Sequence, residues 1–148
     1  MNSTPDTAAR GPAGPGENDG FRVVQAERHF GVRFPADYRH FLATEGSMSQ
    51  FVLPADDFLM INAIAELIEV NEAGEFQKRF PGSVVIGGDG SREMLTHDFR
   101  QTPPPLVLLD VSAQDWSSAI HQAMSLFALL EQFPETGWNW DEPESSPS

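Results

Sequence analysis

The chain has 148 residues, nine Lys+Arg against 22 Asp+Glu for a formal net charge of -13, 40% hydrophobic residues and no cysteine. Such a length suits one domain, and 11 Phe with 3 Trp supply enough apolar material for its core. The acidity excludes non-specific nucleic-acid binding and docking on anionic lipid, which both need clustered Lys and Arg, and the lack of Cys excludes disulfides, thiolate zinc sites and a thiol nucleophile. No secretion signal and no run of about 18 apolar residues appears, so a cytoplasmic protein is expected.

Residues 1 to 17 carry three Pro, three Gly and no large apolar side chain after Met1, the composition of a flexible leader. A first helix is predicted from about Glu17 to Phe30, with Phe21, Val24 and Arg28 on one stripe and Val23, Glu27 and Phe30 on the next, and Gly31 as its C-cap. Phe34-Pro35 starts a second helix carrying Tyr38, Phe41, Leu42 and Glu45, which Gly46 ends. Phe51 to Leu53 and Phe58 to Ile61 are short strand candidates around Pro54. Asn62 can cap a third helix with Ile64, Leu67, Ile68 and Asn71 on one face until about Gly74.

The period then changes. Ser83 to Gly87 is a β-branched run, Gly88-Asp89-Gly90 is turn chemistry, and Met94 to Phe99 and Leu106 to Val111 read as further strands separated by three prolines. Ser112 to Asp115 resembles a capping box, and Trp116, Ala119, Ile120, Ala123, Met124, Phe127, Leu130 and Phe133 follow at helical spacing. A five-turn helix with Trp116 and Phe127 in the core is therefore predicted, with Asp110 stabilising its N-terminus. Residues 134 to 148 form an acidic, Pro/Ser-rich tail whose Trp138 and Trp140 either fold back onto the domain or serve a partner. The fold class is α+β, an antiparallel β-meander flanked by helices over residues 18 to 133.

Three stretches carry a family resemblance. Ala26 to Gly31 with Phe34-Pro35-Ala36-Asp37-Tyr38 and Phe41-Leu42, then Ile86 to Gly90 with Glu93 and Asp98-Phe99-Arg100, then Ser125-Leu126-Phe127 with Leu129-Leu130, together resemble the SUKH superfamily, the Smi/Knr-type domains. Glu45-Gly46 stands where that family commonly has Asn-Gly, and Ser91-Arg92 interrupts a turn usually richer in Gly. The resemblance implies an α+β domain without a shared catalytic centre. Many bacterial members are immunity proteins that neutralise polymorphic toxins, often nucleases; fungal members are regulatory interaction modules, the alternative reading here. Low Lys beside abundant Arg, Ala, Gly and Pro favours the bacterial branch.

Seven carboxylates lie between Glu45 and Glu75 with no Lys or Arg before Lys78. Asp56, Asp57, Glu66, Glu69 and Glu72 are the candidate contacts for a basic partner, such as a toxin domain, with the turn of Asp89, Arg92 and Glu93 as a second candidate; a merely solvated face reads equally from the residues. His29, His40, His97 and His121 lack metal-ligand spacing. His97-Asp98 are adjacent on a strand and therefore face opposite sides, and neither a nucleophile elbow nor a phosphate loop appears. The sequence thus implies no catalytic residues, no metal and no cofactor.

Overall fold

The computed structural model describes residues 19 to 52 and 57 to 140. The expected leader, the Leu53 to Asp56 segment and the last eight residues lie outside them. In chain order the elements are α1 (Asp19–Phe30), α2 (Ala36–Thr44), β1 (Met48–Val52), β2 (Asp57–Ile61), α3 (Ile64–Ala73), α4 (Phe76–Arg79), β3 (Ser83–Gly88), β4 (Glu93–Asp98), β5 (Leu106–Asp110), a 3-10 turn (Trp116–Ser118), β6 (Ile120–Ala123) and α5 (Leu126–Thr136). The fold is α+β. Its six strands make one antiparallel sheet in sequence order, β1 to β6.

Both faces of the sheet are covered, which explains why β3 reads as an unbroken apolar run instead of an alternation: all six of its residues are buried. On the first face Leu59, Ile61, Val84, Ile86, Leu95, Leu106 and Leu108 meet Ala26 of α1, Phe34, Tyr38, Phe41 and Leu42 around α2, Leu67 of α3, and Leu126, Leu129 and Phe133 of α5. The pleat sends Val85, Met94, Val107 and Leu109 to the second face, where Phe76 and Phe80 of the α4 region cover them and Trp116 packs alongside. Each fully buried large side chain contributes about 1.5 to 3 kcal/mol. The first face therefore carries most of the stabilisation.

Of the two predicted stripes of α1, the second faces the core. Phe21 is 70% exposed and Val24 45%, while Ala26 is the buried residue and Val23 and Phe30 pack against the core. Its end is fastened by Glu27 Oε2, which accepts from the Phe34 backbone N–H at 2.7 Å. Asn62 does not cap α3: Ala63 stands at the N-cap without a side-chain bond, and the Asn62 N–H extends the sheet by donating to Ile86 O.

Between β2 and β3 the ladder is short, with Met60 opposite Gly88 and Ile61 opposite Gly87, and a bulge lies between Val85 and Gly87. Gly87 is required there, since a Cβ would sit 2.0 Å from Met60 O. Past Ile61 the edge of β3 has no strand partner. Asn71 takes that place from α3: its Nδ2 donates to Val85 O at 2.9 Å and its Oδ1 accepts from Val85 N at 2.9 Å. Gln77 Nε2 donates to Asn71 Oδ1 and to Ser83 O, which continues the edge.

The largest correction lies after β5. Residues 116 to 133 are not one helix. Asp115 Oδ1 accepts from the N–H and hydroxyl of Ser117, closing a single 3-10 turn, and Ala119 is already extended. Ile120–Ala123 then pairs with β5, so the open edge of that strand overrides a helical spacing built on Ser117, Ser118, Ile120 and His121, which are modest helix formers. Ser125 is the actual cap of α5, accepting from the Ala128 N–H, and Asp37 Oδ2 accepts from the Phe127 N–H. Phe127 is 52% exposed and Trp116 only partly buried, so neither is the core residue expected. Asp110 serves no helix; it accepts from the N–H and hydroxyl of Ser112.

Of the two tail tryptophans, Trp138 is 4% exposed and Trp140 52%. Gly137, at φ 67°, turns the chain out of α5 and lets Trp138 pack edge-on to Phe133. The core thus takes in Trp138, beyond residue 133 where the sequence reading closes the domain.

Replacing Asn71 by Ala would strand the N–H and C=O of Val85 in the interior, each at about 1 to 3 kcal/mol. We expect a loss of roughly 2 to 5 kcal/mol on urea denaturation, with the far-UV spectrum retained at zero denaturant. A change under about 1 kcal/mol would mean that the edge does not depend on this amide.

Candidate protein-docking surface

The third helix buries Ile64, Leu67 and Asn71, which turns Glu66, Glu69 and Glu72 to the outside. Glu66 and Glu69 form no ion pair among the described residues, whereas Glu72 Oε2 lies 3.3 Å from His29 Nε2 and Glu75 lies 3.4 Å from Lys78 Nζ. Glu66 is in the first turn, where the helix dipole favours a negative charge; Glu69 and Glu72 have no such compensation. Like charges at this spacing cost a helix about 0.2 to 0.5 kcal/mol.

The other predicted contacts are distributed differently. Asp56 lies outside the described residues. Asp57 is fastened into the fold: its Oδ2 accepts from the Trp138 N–H at 2.9 Å, while the Trp138 indole N–H donates to Phe58 O. It sits at the far end of β2 from α3, about 13 Å of strand away from Ile61, and does not join the glutamates. Asp89 Oδ1 accepts from the N–H groups of Ser91 and Glu93, and so builds its own turn. Arg92 Nη2 is 3.1 Å from Asp110 Oδ2, and Glu93 stands opposite Asp110 in the β4/β5 register. Burial pushes the Glu93 carboxyl above its ordinary range, Asp110 and Asp89 add to the rise, and Arg92 opposes it. A shallow groove lined by Met60, Asn62, Val70, Gly88, Gly90 and Glu93 separates this turn from α3. The structure therefore makes two acidic places of the predicted set and removes Asp57 from both.

A third place was missed by the sequence reading. A cavity of about 190 Å³ on the second face is lined by Asp98, Arg100, Val107, Trp116, His121 and Met124 among others. Asp98 Oδ1 accepts from Arg100 N and Nε at 3.0 and 2.9 Å, and its Oδ2 accepts from Arg100 Nη2 at 2.9 Å and Gln101 Nε2 at 3.2 Å. The Arg100 guanidinium lies 3.9 Å from the centroid of Trp116, whose indole N–H donates to Pro81 O. Burial pushes the Asp98 carboxyl up, but the hydrogen bonds from Arg100 and Gln101 outweigh it and hold the group below its ordinary range. The Asp98-x-Arg100 spacing was visible in the sequence. The wall opposite was not, because the spacing of Trp116, Ala119, Ile120 and Met124 reads as one continuous helix.

His97 faces the other way, as strand alternation requires. Its ring is 5.2 Å from that of Tyr38 and 5.5 Å from that of Phe99, and neither His97 Nδ1 nor the Tyr38 hydroxyl has a hydrogen-bond partner. Among the described residues no three His, Asp or Glu side chains gather as a metal ion would need, and no helix is long and apolar enough to cross a membrane. No family model and no curated protein matches the chain.

Burial moves the His97 pKa from 6.5 down to about 4, with Asp37 pulling weakly the other way, and it pushes the Tyr38 hydroxyl up. Below pH 6.5 the unfolded chain takes up a proton that the folded chain refuses, so this contribution is complete above that pH and is lost as pH falls towards 4. The whole loss is roughly 3 kcal/mol. Urea unfolding at pH 7, 6 and 5 should show this slope in the wild type and a shallower one in His97→Phe. Parallel slopes would mean that His97 already carries its proton in the native state.

Proposed function

We propose that this is a cytoplasmic, non-enzymatic protein-binding domain of the SUKH type, an immunity protein that captures a basic toxin domain. The carrying observation is that Glu66 and Glu69 project from α3 with no ion pair among the described residues, in a row continued by Glu72. A helix gains nothing from such a row in isolation. A partner whose groove is lined with Lys and Arg, as a groove built for phosphate is, gains an oriented field that speeds encounter and aligns the complex. The α+β architecture is also the one that the three resembling stretches imply.

The test is association kinetics with the toxin encoded beside the gene, at two salt concentrations. Glu66→Lys with Glu69→Lys should slow the on-rate by about tenfold at low salt and flatten its salt dependence. The melting temperature should hold, because both side chains are exposed and unpaired. Rates unchanged at both salts would move the docking surface to the Asp89 to Glu93 turn or to Trp140. Failure of the wild type to bind would favour a regulatory module with a different partner.

A further inference from the structure

The second face of the sheet is covered by less than the first. The four-residue α4 and one 3-10 turn lie over it, where the first face has α1, α2, α3 and α5. The cavity beside Trp116 remains where that cover ends. Its floor is set by strand register: Val107 pairs with His121 across β5 and β6, and both look into it.

The polar groups around this cavity are unevenly matched. Four donors saturate the two oxygens of Asp98, which is buried and therefore fixed. Arg100 uses its Nε and one Nη2 hydrogen for this, which leaves three of its five N–H donors without a partner among the described residues. The guanidinium is held from two sides, by the carboxylate and by the Trp116 ring, so it offers those donors in a preset plane at the half-exposed rim. The His121 ring also has no hydrogen bond among the described residues. Arg100 therefore seeks an acceptor, and the His121 ring, with one donor and one acceptor nitrogen when neutral, can add a second donor. Gln101 adds a polar side chain to the rim, and Pro105, Val107, Ala119, Met124 and Trp116 supply apolar or aromatic wall.

We propose that this cavity binds a small planar carboxylate, with its oxygens on Arg100 and its body against Trp116, Val107 and Met124. Size supports the class: an engineered cavity of about 150 Å³ holds benzene, and this one, at about 190 Å³, has room for the ring and a carboxylate. The nearest negative charge, Asp98, lines the cavity but has both oxygens engaged by Arg100 and Gln101, and the rest of the chain's negative charge is screened beyond roughly 8 Å at physiological ionic strength. Arg100 acts at contact distance. The site is independent of the α3 surface, and its test needs no protein partner.

The full-length protein, labelled at its methionine methyl groups, would be titrated with benzoate, and with benzamide and acetate as controls, followed by NMR. The Met124 methyl should shift saturably with benzoate, while that of Met94, on the same face but outside the cavity, should stay in place. Benzamide lacks the charge and acetate lacks the ring; each should bind at least about fivefold more weakly. Arg100→Met should abolish the shift, although it leaves Asp98 buried without its main partner and so lowers stability. Ala119→Leu fills the cavity and spares the Asp98–Arg100 pair, and should abolish the shift with the fold intact. A Met124 methyl that does not move, controls that match benzoate, or unimpaired binding in Ala119→Leu would each overturn the proposal.

Discussion

A single side-chain amide lets this sheet support a helix where a strand is missing. The strand β2 pairs with β3 over only two residues, and beyond them the backbone of Val85 would face the interior unsatisfied. Asn71 offers one donor and one acceptor in the spacing of a strand neighbour, and its Nδ2 also reaches Leu67 O within its own helix. The position of α3 follows from that. With Asn71 and Leu67 fixed inward, Glu69 faces solvent and Glu72 faces only the His29 ring, so the acidic surface is a by-product of an edge-sealing bond. Any hydrophobic residue at 71 would pack but would leave two polar groups unpaired, which outweighs the area gained.

The other end of the β1–β2 hairpin is closed by different means. Trp138 returns from α5 to donate its indole N–H to Phe58 O and its backbone N–H to Asp57, while Asn139 exchanges hydrogen bonds with Gln122 and His121 of β6. The segment after α5 thus bridges β2 and β6, four strand positions apart in the sheet order, and holds the curl of the meander. Asp57 is acidic for this reason. Its carboxylate is an acceptor for a backbone N–H that no strand supplies, and its apparent membership of an acidic run is an accident of sequence neighbourhood.

These cases mark what could be read in advance. The strands β3, β4 and β5 and the helices α2 and α3 were legible because their signals are local: β-branched runs, a Gly-Asp-Gly turn, a proline at a helix start, an inward face that already contained Asn71. The region from Trp116 to Met124 was not, because the same residues satisfy a helical spacing and a turn followed by an edge strand. The decision rests with β5, whose free edge is distant in sequence. The outward turn of Phe21 was hidden similarly: two stripes of α1 carry apolar residues, and packing against α2 and α3 selects Val23, Ala26 and Phe30. The acidic face of α3 was read correctly as exposed. The partners of Asp57 and Asp89 were out of reach, since one comes from the far end of the chain and the other depends on turn geometry.

The distribution of the bases sharpens the electrostatic picture. The chain has nine Lys and Arg, and most of those in the described structure are committed internally. Arg79 donates to Val111 O, Ala113 O and Gly74 O, and Arg39 to Phe34 O; Arg22, Lys78, Arg92 and Arg100 pair with Asp19, Glu75, Asp110 and Asp98. A guanidinium bonded to loop carbonyls keeps its charge, but its location is fixed by the fold and cannot migrate to cover Glu66 or Glu69. Replacing it with a neutral residue would loosen a loop, whereas removing a surface glutamate would cost little. Among the described residues, six of the eight Lys and Arg are thus bound to the fold, while Glu66 and Glu69 stay unpaired. The negative field of Glu66 and Glu69 is therefore anchored to one helix, and no Lys or Arg pairs with either among the described residues.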